Sequence, residues 1–408
     1  GMLSKEITVT LPLLIVGNEI LLGREKISLK KRILYLLPFL LLLLVVPTMV
    51  LYISRGGMAG NLYYRINASL GQEQMKIGTG GALSLSRLDY LFTQLKAIRI
   101  YIRLLFIPVR QTIYYNLPIS RLILEQEVWI SFLIVLSPLL LAGRLLKRCR
   151  LPALGIIWFY LTILPTSSLA VLWPFVSEHH CYIPLFGWAL IIGYLIRRID
   201  QTQGRITGWA LSCLVIFSLA ALSLNRNRAW KDQYTLWEDT AAKTSGVSMV
   251  YDNLAGAAVN RGKYTLAIEN ARKAMALNPG YDAYNNLWRA YFGKGDLDTS
   301  ESVARRHLHN HPGNVTAYAN LSRILIARKK YREAEEFLKK IRAKTPNHYG
   351  VILWLGIINY LEGRDSGALD YFKEAVRVNP DYPAAYVYLA VLYRKRGNYD
   401  SALQTFRK

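Results

Sequence analysis

The sequence is poor in cysteine and in acidic residues. Its three cysteines, Cys149, Cys181 and Cys213, are scattered and form no CxxC pair, so neither a disulfide framework nor a cysteine zinc site is indicated. Only 27 of the 408 residues are acidic, against 51 that are basic. The basic residues form no recognisable nucleic-acid-binding motif, so nucleic acid is not expected as a partner.

The charged residues divide the chain into two parts of different character. Residues 1–230 carry 24 basic and 9 acidic residues among long apolar runs, whereas residues 231–408 carry 27 basic and 18 acidic residues. In the first part, basic loops between apolar runs are typical of membrane proteins, in which positive charge sets the topology. In the second part, the positive charge favours an acidic partner or an anionic membrane surface.

Apolar segments in residues 1–224 predict a bundle of membrane-spanning helices. The clearest are residues 33–53 and 206–224, which are 21 and 19 residues long and contain no charge. At about 1.5 Å per residue, such runs cross most of a hydrocarbon core of about 30 Å. Further spans are predicted at residues 7–22, 128–146, 153–172 and 182–196. We therefore expect about six spans in this domain.

Residues 88–108 are apolar but contain Asp89, Lys96, Arg99 and Arg103. A charge at the bilayer centre costs about 2.5–3.5 kcal/mol, and the three basic residues are spaced to share one helical face. An amphipathic helix at the membrane interface, or a re-entrant segment, fits better than a lipid-exposed span. The alternative is a helix buried among others, with its arginines lining a polar cavity.

Basic clusters at residues 24–32, 144–150 and 197–205 constrain the topology. They share one side of the membrane only if residues 88–108 do not cross it, and the positive-inside rule predicts that this side is cytoplasmic. The last span then runs outward. We expect residues 54–127, residues 173–181 and the whole chain after the last span to lie on the non-cytoplasmic face.

Four kinds of residue recur at intervals of 33 or 34 positions from about residue 248. The recurring positions are Pro279, Pro312, Pro346 and Pro380; Leu254, Leu287, Leu321, Leu355 and Leu389; Ala267, Ser300, Ala334, Ala368 and Ala402; and Gly262, Gly295, Gly363 and Gly397, with Lys329 in the fifth place. This period is that of the tetratricopeptide repeat, a pair of antiparallel helices that stacks on its neighbours.

The predicted fold is therefore all-α, a membrane helix bundle followed by a tetratricopeptide-repeat α-solenoid. The predicted domains are residues 1–224, a junction at 225–247, and repeats at 248–408. Four repeats are complete and the fifth is truncated, which, with the Gly-Met start, is expected of a piece of a longer protein.

The concave groove of such a solenoid is lined chiefly by the first helix of each repeat. By register with the repeat family, Asn285, Arg289, Arg323 and Arg394 are expected to point into this groove and to hold an extended peptide or a loop of a partner protein. The alternative interpretation is that they are ordinary solvated surface residues.

Six short segments occur in an order that matches a known family. They are LSKEITVTLPLL (3–14), YIRLLFIPVRQTIYYNLP (101–118), LPTSS (164–168), EHHCYIP (178–184), NRNRAWKDQYTLWEDTAAKTSG (225–246) and NLAGAAVNRGKYTLAIENARKAMALNP (253–279). They resemble the transmembrane and tetratricopeptide-repeat-containing proteins, which are polyprenyl-phosphate-sugar-dependent O-glycosyltransferases with a multi-spanning C-type fold. The resemblance covers almost the whole chain.

The resemblance implies an integral-membrane, mannosyltransferase-like enzyme whose donor is a sugar on polyprenyl phosphate. It implies no further cofactor, and repeats that recruit the protein substrate. Arg99 and Arg103 would lie at the depth of a lipid phosphate, and Glu178, His179 and His180 would bind the lipid phosphate or the acceptor. His180 stands where the family has arginine, and a neutral imidazole is a weaker counter-ion.

Two other interpretations of Glu178, His179 and His180 are open. These side chains can satisfy one another and their neighbours between helices. A metal site is not expected there, because adjacent residues rarely chelate one ion well.

The family's catalytic acidic pair lies in an outer loop that would precede Ser4. No catalytic residue is therefore assigned, and whether this chain is an enzyme by itself is left open; Glu125 and Glu127 are the nearest acidic pair. The alternative function is a non-enzymatic membrane anchor whose repeats act as a scaffold for protein–protein interactions. A bacterial inner membrane is favoured over the endoplasmic reticulum.

Overall fold

The computed structural model of the protein describes residues 75–77, 81–83, 86–164, 167, 175–279, 282–312 and 314–407. Within them the secondary structure is helical apart from two short antiparallel strands, β1 (Met75–Ile77) and β2 (Gly81–Leu83). The predicted all-α class is confirmed. The predicted spans at residues 7–22 and 33–53, and the basic cluster at 24–32, lie outside the described residues.

The chain divides into two compact units, with the boundary between Val250 and Tyr251. The helices that lie in the first unit are α1 (Arg87–Phe106), α2 (Gln126–Leu145), α3 (Arg150–Leu164), α4 (Pro184–Gln203), α5 (Arg205–Ala229) and α6 (Gln233–Lys243), with a 3₁₀ turn at Glu178–Cys181. The predicted domain limits at residues 224 and 247 stay predictions.

Helix α1 is the central element of the first unit. It begins with a capping box, in which the Ser86 hydroxyl accepts from the Asp89 amide and the Asp89 carboxylate accepts from the Ser86 amide. Such reciprocal bonds satisfy two amides that the helix leaves free. Its buried face places Ala97 and Tyr101 against Phe159 of α3. These apolar contacts determine which side of α1 remains accessible.

The side chain of Lys96 is buried, whereas that of Arg103 on the same helix is exposed. Lys96 is 2% exposed, and its ammonium donates to the Pro118 carbonyl at 2.6 Å. Lys96 shares a face with Arg99 and Arg103 by its position in the helix, as predicted, but it alone of the three is buried. Spacing alone cannot reveal that a backbone carbonyl accepts a hydrogen bond from one of the three cations.

Two helices among the described residues are long and apolar enough to cross a membrane. They are α2 and α5, which coincide with the predicted spans at 128–146 and 206–224. Helix α3 is apolar but has 15 residues, and α4 carries Arg197, Arg198 and Asp200 towards its end. The arrangement of about six spans stays a prediction.

Five helical hairpins form the rest of the chain. The first helices are α7 (Ser248–Asn260), α9 (Tyr284–Lys294), α11 (Val315–Ala327), α13 (Tyr349–Leu361) and α15 (Pro383–Lys395). The second helices are α8 (Tyr264–Leu277), α10 (Leu297–Asn310), α12 (Tyr331–Lys344), α14 (Asp365–Val378) and α16 (Tyr399–Phe406). Trp288, Leu321 and Leu355, from three successive hairpins, are buried in one core. No hairpin buries its apolar face alone, so the core is continuous between neighbours.

The turn inside each hairpin needs a left-handed residue. Gly262, Gly295, Gly363 and Gly397 have φ between 72° and 87°, and Lys329 fills the equivalent position with φ 60°. A side chain there costs about 1–2 kcal/mol, which glycine avoids. The recurring glycines are thus explained by backbone conformation, and Lys329 is the strained member of the set.

Lys329→Gly is expected to stabilise the repeats by about 0.5–1 kcal/mol, because the relief of strain exceeds the entropy that glycine adds to the unfolded chain. Thermal unfolding followed by far-ultraviolet circular dichroism measures this gain. Lys329→Ala keeps the strain and should give no gain. Equal stabilisation by alanine would show that removal of the charge, and not the backbone, is responsible.

Candidate functional site

A basic cavity of about 800 Å³ lies beside α1 in the first unit. Among the described residues its lining includes four cationic side chains, Arg99, Arg103, Arg110 and Lys243, and no acidic one. The other lining residues are Ile100, Ile102, Thr112, Tyr115, Asn116, Ile134, Thr244 and Ser245. A concave surface with charge of one sign attracts an anion, and guanidinium groups match the geometry of phosphate oxygens.

The two arginines of α1 differ in how far they are neutralised. They are one helical turn apart and therefore face the same side. A terminal nitrogen of Arg99 lies 3.7 Å from a carboxylate oxygen of Glu127 at the start of α2. Arg103 is exposed, and no carboxylate of the described residues lies within 4.0 Å of it. Arg103 is therefore better placed to bind an added anion.

Glu178 organises the segment that forms one wall of the cavity. One of its carboxylate oxygens accepts from the Thr112 amide and from the Tyr115 hydroxyl, each at 2.7 Å. Burial, together with the charge of Glu178, raises the pKa of Tyr115, so the phenol keeps the proton that it donates. Glu178 thus positions the segment that carries Arg110, rather than lining the cavity itself.

The end of α6 is held against the same segment. The Lys243 ammonium donates to the Gln111 carbonyl at 2.9 Å, and the Thr244 hydroxyl donates to the Tyr114 carbonyl at 2.9 Å. Lys243 also forms an ion pair with Asp239 at 2.6 Å, which partly neutralises its charge. These bonds bring residues from two distant parts of the chain to one cavity.

The two histidines of the 3₁₀ turn lie elsewhere. His179 is exposed, and its Nδ1 is 2.7 Å from the Ser177 hydroxyl. His180 has its Nδ1 3.4 Å from the Tyr101 hydroxyl, which also accepts from the Ser177 amide at 2.9 Å. Neither histidine lines the cavity, so their predicted role towards phosphate or acceptor stays a prediction.

Glu125 and Glu127 flank the start of α2. A Glu125 oxygen accepts from the backbone amides of Arg121 at 2.8 Å and Leu122 at 3.2 Å, which stabilises the turn before the helix. Glu127 is 62% exposed at its side chain and faces Arg99. The contacts of both are structural, and no base role is assigned to them.

The second unit has a site of different character, on its first helices. The Arg323 guanidinium lies between two indole rings, 5.5 Å from the centre of Trp288 and 5.6 Å from that of Trp354. Trp288 is 1% exposed, and its ring nitrogen donates to the Asn285 side-chain oxygen at 3.1 Å. The same oxygen accepts from the Asn320 amide at 3.1 Å. Cation–π contacts of this kind hold a guanidinium in place without neutralising it.

Arg289 lies in the same region. It donates to the side-chain oxygens of Asn260 at 2.8 Å and Asn286 at 3.2 Å. Partial desolvation of the guanidinium, with a smaller contribution from the charge of Arg289, lowers the pKa of Arg323. In the described part of the chain no carboxylate lies within 4.0 Å of either arginine. We name Asn285, Arg289, Arg323, Trp288 and Trp354 the arginine–tryptophan site.

Three of the four predicted groove residues thus come together. Arg394, at the end of α15, is exposed and takes no part in these contacts. Two other arginines of the repeats are paired: Arg342 with Glu374 at 2.8 Å, and Arg305 with Glu301 at 2.7 Å. Arg289 and Arg323 differ from these two paired arginines in having no acidic neighbour among the described residues.

Sequence reasoning missed Arg110, Lys243 and the two tryptophans. Arg110 lies within the segment YIRLLFIPVRQTIYYNLP, so it could have been considered with Arg103. Lys243 reaches the cavity through hydrogen bonds to residues more than 100 positions away, and no local pattern signals that. Trp288 stands one position after the recurring Leu287, where a small residue is usual in the repeat, and this departure was a usable signal.

The repeat half matches known families. Residues 291–351 and 360–408 match one family model described as tetratricopeptide repeat, and residues 253–315 match a second with the same description. Between residues 253 and 408 the chain therefore carries tetratricopeptide repeats, as the 34-residue period predicts. A thermophilic TPR protein of Thermus thermophilus is 22% identical, with a TM-score of 0.37, covering 40% of this chain and 89% of that one.

The predicted resemblance to the transmembrane and tetratricopeptide-repeat-containing proteins is confirmed as distant homology over about half of the chain. Protein O-mannosyl-transferase TMTC3 of Mus musculus is 23% identical over 237 residues, 56% of this chain and 23% of that protein. Protein O-mannosyl-transferase Tmtc3 of Drosophila melanogaster is 24% identical over 249 residues, 59% of this chain and 24% of that protein. The chain thus spans about a quarter of the length of these relatives.

Proposed function

We propose that this chain is part of an integral-membrane protein O-glycosyltransferase of mannosyltransferase-like type, in which the donor is a sugar on polyprenyl phosphate. The observation that carries the proposal is the basic cavity, because its arginines lie beside Ile134 of α2, a helix long and apolar enough to cross a membrane. A lipid phosphate requires such a combination of cations and apolar surface. The repeats recruit the protein substrate.

The exposed side chains of α5 support the membrane assignment. Ile206, Trp209 and Phe217 are 86%, 71% and 72% exposed, and a helix apolar on all sides is typical of contact with lipid. In this proposal α2 and α5 are two of about six spans, and α1 lies at the interface or is re-entrant. The repeats lie on the non-cytoplasmic side of a bacterial inner membrane.

The residues of the cavity have different roles in binding the lipid carrier. Arg103 and Arg110 bind the phosphate oxygens. Arg99 and Lys243 are partly neutralised and contribute to the positive electrostatic potential of the cavity. Glu178 keeps the wall segment in place. His179 and His180 are proposed contacts to the acceptor or lipid phosphate, and no catalytic base is assigned to this chain.

The lipid-phosphate role predicts that Arg103→Ala with Arg110→Ala weakens binding of a polyprenyl phosphate by more than about tenfold, since hydrogen bonds to charged groups contribute about 1.5–3 kcal/mol each. Binding to the purified full chain in lipid nanodiscs is measured by native mass spectrometry or by thermal shift.

Arg121→Ala is the matched control. Arg121 is exposed and lies in the same connection between α1 and α2, but it does not line the cavity. The control should bind as the wild type does. Equal loss in the control, or unchanged binding in the double variant, would contradict the proposed role of the cavity.

A second candidate function is a membrane-anchored scaffold without enzymatic activity. The arginine–tryptophan site favours it, because two arginines that have no carboxylate partner among the described residues, beside aromatic rings, suit a carboxylate-bearing peptide. Binding of acidic peptide without binding of polyprenyl phosphate distinguishes the scaffold from the glycosyltransferase.

A further inference from the structure

Two histidines and an aspartate meet at one end of the hairpin formed by α9 and α10. Their ligand atoms, one each from Asp282, His307 and His311, all lie within 4.8 Å of one another. His307 and His311 are four positions apart on the last turn of α10 and at its C-cap. Asp282 lies two positions before α9, so the hairpin itself brings the three together.

One of the two histidines, His307, is buried and stacked against an aromatic ring. His307 is 3% exposed, and the Tyr284 ring stacks on it with centroids 5.3 Å apart and an interplanar angle of 12°. Its Nε2 lies 2.9 Å from an Asp282 carboxylate oxygen, whereas its Nδ1 is buried and has no hydrogen-bond partner among the described residues. Burial and stacking fix the ring orientation, which a metal ligand requires.

Asp282 is poised as an anionic ligand. One of its carboxylate oxygens lies 2.9 Å from His307 Nε2, and the other accepts from the Tyr284 amide at 3.3 Å. A simple hydrogen bond between Asp282 and His307 accounts for that pair, but it leaves unexplained why the exposed His311 ring packs 5.4 Å from the His307 ring.

From this juxtaposition we propose that Asp282, His307 and His311 form a divalent transition-metal site, with Zn²⁺ as the metal that the donors fit best. Two imidazoles and one carboxylate are ligands that Zn²⁺ takes in tetrahedral sites, with water in the fourth position. Asn314 lies at the edge of the site, its amide nitrogen 3.5 Å from His307 Nε2. As the N-cap of α11, Asn314 links the site to the next hairpin.

A metal at this place joins the end of α10 to the segment before α9 and borders the start of α11. It therefore stabilises the hairpin formed by α9 and α10. The site lies in the repeat that also carries Arg289 and Trp288, so an occupied site would hold the arginine–tryptophan site in one geometry.

The test uses the full chain in detergent, freed of metal with a chelator and titrated with Zn²⁺ by calorimetry; Co²⁺ reports tetrahedral ligation through its visible absorption. We expect one ion per chain and a higher unfolding temperature with metal. His311→Ala and Asp282→Asn should weaken Zn²⁺ binding more than about tenfold, because even outer-shell partners of a ligand cost that much. Both side chains are exposed, so these variants are expected to fold.

His309→Ala is the matched control, since His309 is exposed on the same turn of α10 and belongs to no metal-binding group of the described residues. The control should bind Zn²⁺ as the wild type does. Absence of stoichiometric binding in the wild type, or equal weakening in His309→Ala, would overturn the proposal. So would binding that survives His311→Ala and is lost in His179→Ala, because the ion would then occupy the 3₁₀ turn.

Discussion

Replacing Gly155 by alanine is expected to destabilise the first unit by about 3 kcal/mol or more, since overpacking of this severity belongs to the large-effect class. Helices α3 and α4 cross there with the Gly155 and Gly187 backbones in contact. A Cβ on either glycine would overlap the carbonyl oxygen of the other, and a Cβ at Gly155 would also lie 2.8 Å from the Ile191 side chain. Backbone atoms cannot yield as a flexible side chain does, so the helices must separate.

The expected loss appears as a fall in the thermal unfolding midpoint of roughly 6–12 °C in detergent, measured by intrinsic fluorescence. Gly193→Ala is the control within α4, because a Cβ there meets nothing within 4 Å. It should leave the midpoint unchanged or raise it, since alanine favours helix by up to about 1 kcal/mol. A Gly155→Ala variant as stable as Gly193→Ala would mean that the close crossing is not present.

The repeat half was predictable because its signal is repeated. The leucines, small residues and prolines at a period of 34 each mark the same place in a hairpin, and the turn glycines mark a left-handed residue. The one departure could also be predicted from the sequence, because Lys329 occupies the position where the other repeats have glycine. The backbone there is left-handed too, with φ 60°. What the period cannot show is the pairing of side chains from different repeats, as between Arg323 and the two tryptophans.

The first unit was predictable only for its apolar runs. The sequence shows α2 and α5 because a long uncharged segment has few alternatives. It does not show which cations share a cavity, because that depends on tertiary contacts: the Lys96 ammonium donates to the Pro118 carbonyl, whereas Lys243 lines the cavity from the end of α6. The same limit applies to Glu178, whose partners Thr112 and Tyr115 are more than 60 positions away.

In the arginine–tryptophan site one residue, Trp288, stabilises the repeats, and another, Arg323, is expected to bind the peptide. Replacing Trp288 gives the second large effect on stability. Trp288→Ala is expected to cost the repeats about 3–5 kcal/mol, because a fully buried indole leaves a cavity in the core that it shares with Leu321 and Leu325. Arg323 is exposed, so Arg323→Ala should change stability by less than about 1 kcal/mol. Circular dichroism during thermal unfolding distinguishes the two variants.

The Arg323 substitution should affect peptide binding strongly although its effect on stability is small. Arg323→Ala, although well folded, is expected to lose about tenfold or more in affinity for an acidic peptide, because it removes a charge-assisted hydrogen bond worth about 1.5–3 kcal/mol. Fluorescence anisotropy with a labelled acidic peptide measures this at several salt concentrations. Arg332→Ala removes an equal charge from an exposed position on the second helix α12 and should bind normally. If both variants lose affinity equally, the attraction belongs to the net positive charge of the repeats, and the aromatic-flanked arginine has no special part in it.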